Sequence, residues 1–159
     1  MHLRKANVQD VPDVTALINR DQTILPRSQH YVFDNLRDFV VAEEDGQIVG
    51  CASLHVLWEN IAEIRAMTVA SQKQGNGLYR ELVDRLLEDG KAVGVPQVVA
   101  LTQNPQLLID FGFRMVGRND VPQIVWKECI SCVHFPDCQE KPVLFDLDDA
   151  ATEQTGEGS

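Results

Sequence analysis

The chain has 159 residues, 44% of them hydrophobic, and a formal net charge of −10. That length suits one ordinary domain with a sizeable core, and the acidic balance argues against nucleic acid or an anionic membrane, whose phosphates it would repel. Apolar runs stay short of spanning length, and "MHLRKANVQD" lacks the apolar core of a secretory signal, so a soluble cytoplasmic protein is expected.

In chain order, His2 to Ala6 reads as a short first strand. Asp10 stands where a helix N-cap belongs, and Val11, Val14, Leu17 and Ile18 keep helical spacing behind it. A second, shorter helix is expected from Ser28 to Leu36. The stretch "DFVVAEEDGQIVGCASLHVLW" is a hairpin, two β-rich runs joined at the turn dipeptide Asp45-Gly46. "AEIRAMTV", Ala62 to Val69, is the next strand. Alternation along it puts Glu63, Arg65 and Met67 on one face and Ile64, Ala66 and Thr68 on the other.

Leu78, Leu82 and Leu86, with Val83 and Leu87, then form a helical stripe that runs to Gly90. "PQVVAL" is an apolar strand whose Pro96 suits a strand start. Pro105 opens another short helix that ends near Phe111 to Phe113, and "PVLFDL" is a last strand. A meander followed by a strand–helix–strand unit makes a mixed α/β architecture. Beyond Leu147 the chain is acidic and nearly free of apolar residues, so 1–147 is expected as one domain and 148–159 as a disordered tail.

The segment "SQKQGNGLYRELV", Ser71 to Val83, lies between a strand and a helix. A nucleotide P-loop would need Gly-Lys-Ser/Thr where Gly77-Leu78-Tyr79 stands. A dinucleotide fingerprint would need a glycine in place of Arg80. What remains is either a plain glycine-rich turn or a diphosphate cradle. In the cradle, the unpaired N–H groups and positive dipole end of a helix receive the anion.

The "QGNGLY" segment resembles the acetyl-CoA motif of the GNAT superfamily of acetyltransferases, Gln/Arg-x-x-Gly-x-Gly/Ala. Gln74 and Gly77 match in place, and Tyr79 stands for a small residue. Three further stretches are similar to the short single-domain N-acetylglutamate synthases of bacteria: "ILPRS", "RDFVVAEEDGQIVGCASLHVLWENIAEIRAMTV" and "VPQIVWKECISCVHFPDCQEKPVLFDL". Together the likeness covers residues 2–147. It implies a GNAT fold, with a central, mostly antiparallel mixed sheet of six to seven strands. That sheet would splay between strands four and five and be flanked by about four helices.

The resemblance also implies a chemistry: direct transfer of the acetyl group from acetyl-CoA to an amine in a ternary complex. Main-chain donors for the thioester and pantetheine would come from Met67, Thr68 and Val69. Gln74, Gly75, Asn76, Gly77, Leu78 and Tyr79 would hold the diphosphate, and Thr102 and Asn104 would flank the arm. Glu63 matches the family's general base. With L-glutamate as acceptor, its carboxylates call for cations. Arg27 in "LPRS" matches a substrate arginine, while Arg65 and Lys141 are further candidates. Lys141 stands near where larger relatives carry an arginine–serine pair. The family's general-acid tyrosine is replaced by Leu108, so no acid is assigned.

"CISCVHFPDC" gathers Cys129, Cys132, His134 and Cys138. Thiolates and an imidazole are zinc ligands, but His134 lies only two residues past Cys132, which compresses the second pair, and reduced structural cysteines are favoured over zinc. Cys51 reads as a small core residue and His55 as packed beside it. The leading expectation is thus an N-acetylglutamate synthase, the first step of arginine biosynthesis, with acetyl-CoA and L-glutamate as small-molecule partners. Rivals are a GNAT enzyme for another amino acid or small amine and a non-catalytic acyl-CoA-binding module; a homodimer is left open.

Overall fold

The computed structural model describes residues 1–126 and 140–147. The tail 148–159 and the cluster Cys129, Cys132, His134 and Cys138 lie outside the described residues. Among the described residues seven strands stand in the order β1-β2-β3-β4-β5-β7-β6, a mixed and mostly antiparallel sheet flanked by four helices, as expected. The described residues form two compact units, Met1–His55 with Ile64–Asp89, and Val56–Glu63 with the described residues from Gly90 onward.

The first unit begins with β1 (His2–Lys5) and α1 (Val11–Arg20). Asp10 occupies the position before α1, yet its carboxylate caps nothing there. It accepts instead from the Asn7 N–H at 2.8 Å and from Arg4 at 2.7 and 2.9 Å. The stronger, charged donor wins over the helix end. Ser28 does cap α2 (Gln29–Asp34), accepting from the Tyr31 N–H at 3.1 Å.

β1 runs antiparallel to β2 (Phe39–Glu44), which turns back into β3 (Gln47–Trp58). At the turn Asp45 and Gly46 have φ of 52° and 78°. Two left-handed residues give the primed turn whose twist matches a hairpin. β4 (Ile61–Val69) leads to a short 3₁₀ turn, Ser71–Lys73, and then to α3 (Leu78–Val93), three residues longer than its stripe suggested. The core of this unit is Val11, Val14 and Ile18 of α1, Phe39 to Val41 of β2, and Leu82, Val83 and Leu86 of α3, all fully buried. Each such side chain contributes about 1.5–3 kcal/mol by leaving water. α3 also sits close upon β3. A Cβ added to Gly50 would meet Leu78 Cδ2 at 3.1 Å.

In the second unit β5 (Gln97–Thr102) pairs antiparallel with β7 (Lys141–Asp146) along its whole length. α4 (Pro105–Ile109) is a single turn and a half, and β6 (Arg114–Met115) adds two residues to the far edge of β7. A strand that short carries no alternation to read, and the sequence did not suggest it. Ile61, Val99, Val121, Val125 and Leu144 form this unit's buried cluster.

Candidate active site

Two features of the first unit define the candidate site. One is a break in β4. Ala66 has φ of 52°, a left-handed conformation that a residue with a Cβ rarely adopts inside a strand. It interrupts the expected alternation of faces, because one left-handed residue turns its peptide out of the regular pleat. Met67, Thr68 and Val69, the three expected main-chain donors, come directly after it.

The other feature is the approach to α3. The Ala70 N–H donates to the Val49 carbonyl at 2.8 Å, and the Lys73 N–H to the Ala70 carbonyl at 2.8 Å. Lys73 also forms an ion pair with Glu44. Beyond these anchors Gly75 and Gly77 take φ of 87° and 81°. A Cβ on either would meet nothing within 4 Å. The glycines are therefore required by backbone conformation, not by packing, and the space beside them is open. The N–H groups of the first turn of α3 have no partner within the helix, as at any helix start. Such groups, at the positive end of the helix dipole, favour an anion.

Between the end of α1 and the end of β4 lies a polar cavity of about 340 Å³, lined by Leu17, Arg20, Asp21, Thr68, Ser71 and Gln74 among others. Asp21 organises its wall. It accepts from the Thr68 hydroxyl at 2.7 Å and from the Thr23 N–H and hydroxyl at 2.9 and 2.6 Å. Burial pushes its carboxyl up, but these hydrogen bonds outweigh burial and hold it below the usual range. The Gln74 side chain donates to the Val69 carbonyl at 3.3 Å.

Tyr79, the departure from the family motif, is half-buried. Burial first, and then the Asp21 carboxylate, raise its hydroxyl above the ordinary value, against the opposing pull of a hydrogen bond from the Val69 main chain. The ring is thus turned toward the end of β4. Neither Asp21 nor this use of Tyr79 was read from the sequence. Asp21-x-Thr23 is an Asx-turn pattern that hints at the first, and nothing local hints at the second.

Arg27 is held by Asn19. Its N–H donates to Asn19 Oδ1 at 2.8 Å and its carbonyl accepts from Asn19 Nδ2 at 2.9 Å. The guanidinium lies 4.1 Å over the Tyr31 ring, a stacked arrangement that orients the fork. Arg65 is half-buried on β4. Cys51 is fully buried, as expected of a core residue. His55 is half-exposed and meets Asp38 through Nδ1 at 2.6 Å.

In the second unit Thr102 and Lys141 face each other in the β5–β7 register. The Asn104 N–H donates to Thr102 Oγ1 at 3.0 Å, so three expected residues are neighbours. Glu63, on β4, is 5% exposed. Leu108, in place of the family's tyrosine, is core. Among the described residues no group of three or more His, Cys, Asp or Glu is placed to hold a metal ion.

Comparison with known proteins agrees with this geometry. The model of the Acetyltransferase (GNAT) family matches residues 9–108. The chain is 30% identical over 131 residues to the amino-acid acetyltransferase of Mycobacterium tuberculosis, covering 79% of this chain and 75% of that one. A Mycobacterium tuberculosis crystal structure in complex with CoA and NLQ is similar at a TM-score of 0.79 and 26% identity, covering 92% of this chain and 99% of that chain. N-acetylglutamate synthase from Neisseria gonorrhoeae, complexed with coenzyme A and N-acetyl-glutamate, is similar in fold at a TM-score of 0.83 and 23% identity, over 92% of this chain and 35% of that one. With a family match across more than half of its length, the chain belongs to the acetyltransferase (GNAT) family.

Proposed function

We propose that this acetyl-CoA-dependent GNAT acetyltransferase acts on the α-amino group of L-glutamate, making N-acetylglutamate by direct attack in a ternary complex. The observation that carries the reading is the run from Ala66 to Gly77, where a left-handed break in a strand and two left-handed glycines stand on either side of a braced turn. A thioester substrate with a diphosphate needs both: main-chain donors for a carbonyl that gains negative charge, and an open helix start for the anion. The glutamate acceptor draws support from the likeness to amino-acid acetyltransferases.

In this mechanism the first-turn amides of α3, with Gln74 to Tyr79, receive the diphosphate. Main-chain N–H groups of Met67, Thr68 and Val69 serve the thioester oxygen and the pantetheine arm, the Val69 N–H exchanging the Tyr79 hydroxyl for the arm, and Thr102 and Asn104 flank the arm. Glu63 accepts the proton of the ammonium, directly or through a water, and so frees the lone pair that attacks the thioester carbon. Arg27, Arg65 and Lys141 grip the two carboxylates. The CoA thiolate leaves and takes a proton from water, which a thiol of pKa about 8.5 does readily near neutral pH.

Steady-state acetylation of an acceptor panel (glutamate, glutamine, aspartate, lysine and a polyamine) tests the reading. Glutamate should give the highest kcat/KM. Equal or better use of lysine or the polyamine would retire glutamate and leave the acetyl-CoA chemistry standing.

A further inference from the structure

In a regular strand successive carbonyls point to opposite edges. The Ala66 break in β4 changes that, and β3 supplies the reason. Two β3 side chains on the same face donate to two successive β4 carbonyls. The Ser53 hydroxyl reaches the Arg65 carbonyl at 2.9 Å, and the Cys51 thiol reaches the Ala66 carbonyl at 3.5 Å. Both side chains are buried, Ser53 at 1% and Cys51 at 0% exposure. Across a planar trans peptide the N–H opposes the C=O. The Ala66 and Met67 amides are therefore both turned away from these two side chains, side by side. Adjacent N–H groups aimed the same way make a small concavity for negative charge.

We propose that Cys51 and Ser53 are positioning residues for acyl transfer, holding the two carbonyls so that the Ala66 and Met67 amides are presented together to the thioester oxygen. The inference rests on the acetyl-transfer reading above. A left-handed alanine is strained by its Cβ, and the two donors offset that strain. Each must keep its proton to do so. Burial pushes the Cys51 thiol up to about 12, so it remains a donor through the neutral range. Neither side chain touches the substrate in this scheme. Their effect passes through the backbone, as outer-shell hydrogen bonds orient the groups that do the chemistry.

The test compares the ¹⁵N-labelled full chain bound to CoA, which has no acyl carbonyl, with the same chain bound to a non-transferable thioether that keeps one. The Ala66 and Met67 amide resonances should move with the carbonyl-bearing ligand beyond their position with CoA. Ser53→Ala should abolish that difference and lower kcat about tenfold while CoA affinity stays within about twofold. Ser53→Cys and Cys51→Ser, which restore a donor of similar size, should recover both readouts, and Cys51→Ala should not. The proposal is overturned if the parent shows no carbonyl-dependent shift. It is equally overturned if Ser53→Ala keeps shift and kcat, or if Ser53→Cys is as impaired as Ser53→Ala. A parent that shows the shift yet acetylates no amino acid would instead remove the acetyl-transfer reading and leave the backbone assignment supported.

Discussion

Glu63 sits at 5% exposure on β4, an unusual place for a carboxylate, because desolvating the charge is costly unless a partner or a reaction requires it. As the proposed base, it should be separable from cofactor binding. Glu63→Gln is expected to lower turnover at neutral pH by about a hundredfold or more, with acetyl-CoA affinity unchanged by calorimetry. Full activity in that variant would place the base elsewhere. Asp21 and Asp10 show how a residue type is redirected by its neighbours. Asp21 is committed to Thr23 and Thr68, which makes it a wall of the cavity and not a base. Asp10 stands where a helix cap belongs and serves Arg4 instead. A side chain's chemistry states what it can bind, and the nearest strong partner decides what it does bind.

At the scale of elements, the loop before α3 can be compared with the β2–β3 hairpin. Gly77 and Gly46 share the left-handed conformation, with φ of 81° and 78°, and a Cβ on either would meet nothing within 4 Å. Alanine at either position should cost stability by about 1 kcal/mol through backbone strain. Only Gly77→Ala should also weaken acetyl-CoA binding, because it shifts the amides proposed to receive the diphosphate. Thermal melts with calorimetric titration of both variants check this. An equal loss of affinity in the two would show that the α3 start is not the anion seat. The hairpin glycine thus serves as the internal control for the functional one.

For the whole molecule, the −10 charge makes carboxylate partners a matter of stability as well as function. Arg4 holds Asp10 below the ordinary carboxylate range, Lys73 does the same for Glu44, and Arg114 for Asp146. Asp21 joins them through its hydroxyl and amide donors. A group whose folded pKa is depressed contributes stability that is fully present above its unfolded pKa, about 3.9 for Asp and 4.3 for Glu. That contribution is lost as pH falls through the lower folded value. The urea midpoint should therefore be nearly level from about pH 5 to 8 and fall steadily below about pH 4. A midpoint that held or rose on acidification would mean that these pairs contribute nothing.

Much of the fold is legible in the residues because it follows from local physics. The spacing of Val11, Val14 and Ile18, and of Leu78, Leu82 and Leu86, can bury one face only as a helix. Asp45-Gly46 can turn a hairpin because both residues tolerate positive φ. Gly75 and Gly77 mark a backbone that no Cβ should crowd, and the family resemblance named the ligand such a backbone would take. Other features have no local cause. Nothing about an alanine in "EIRAMTV" asks for a left-handed turn; it is held there by Ser53 and Cys51, 12 and 15 residues away from the carbonyls they reach. Asp21 finds Thr68 across 47 residues, and Thr102 faces Lys141 only once β5 and β7 pair in register. Contacts of that span depend on which strands become neighbours and in what register, which is settled by burial across the whole chain and by no short stretch of it.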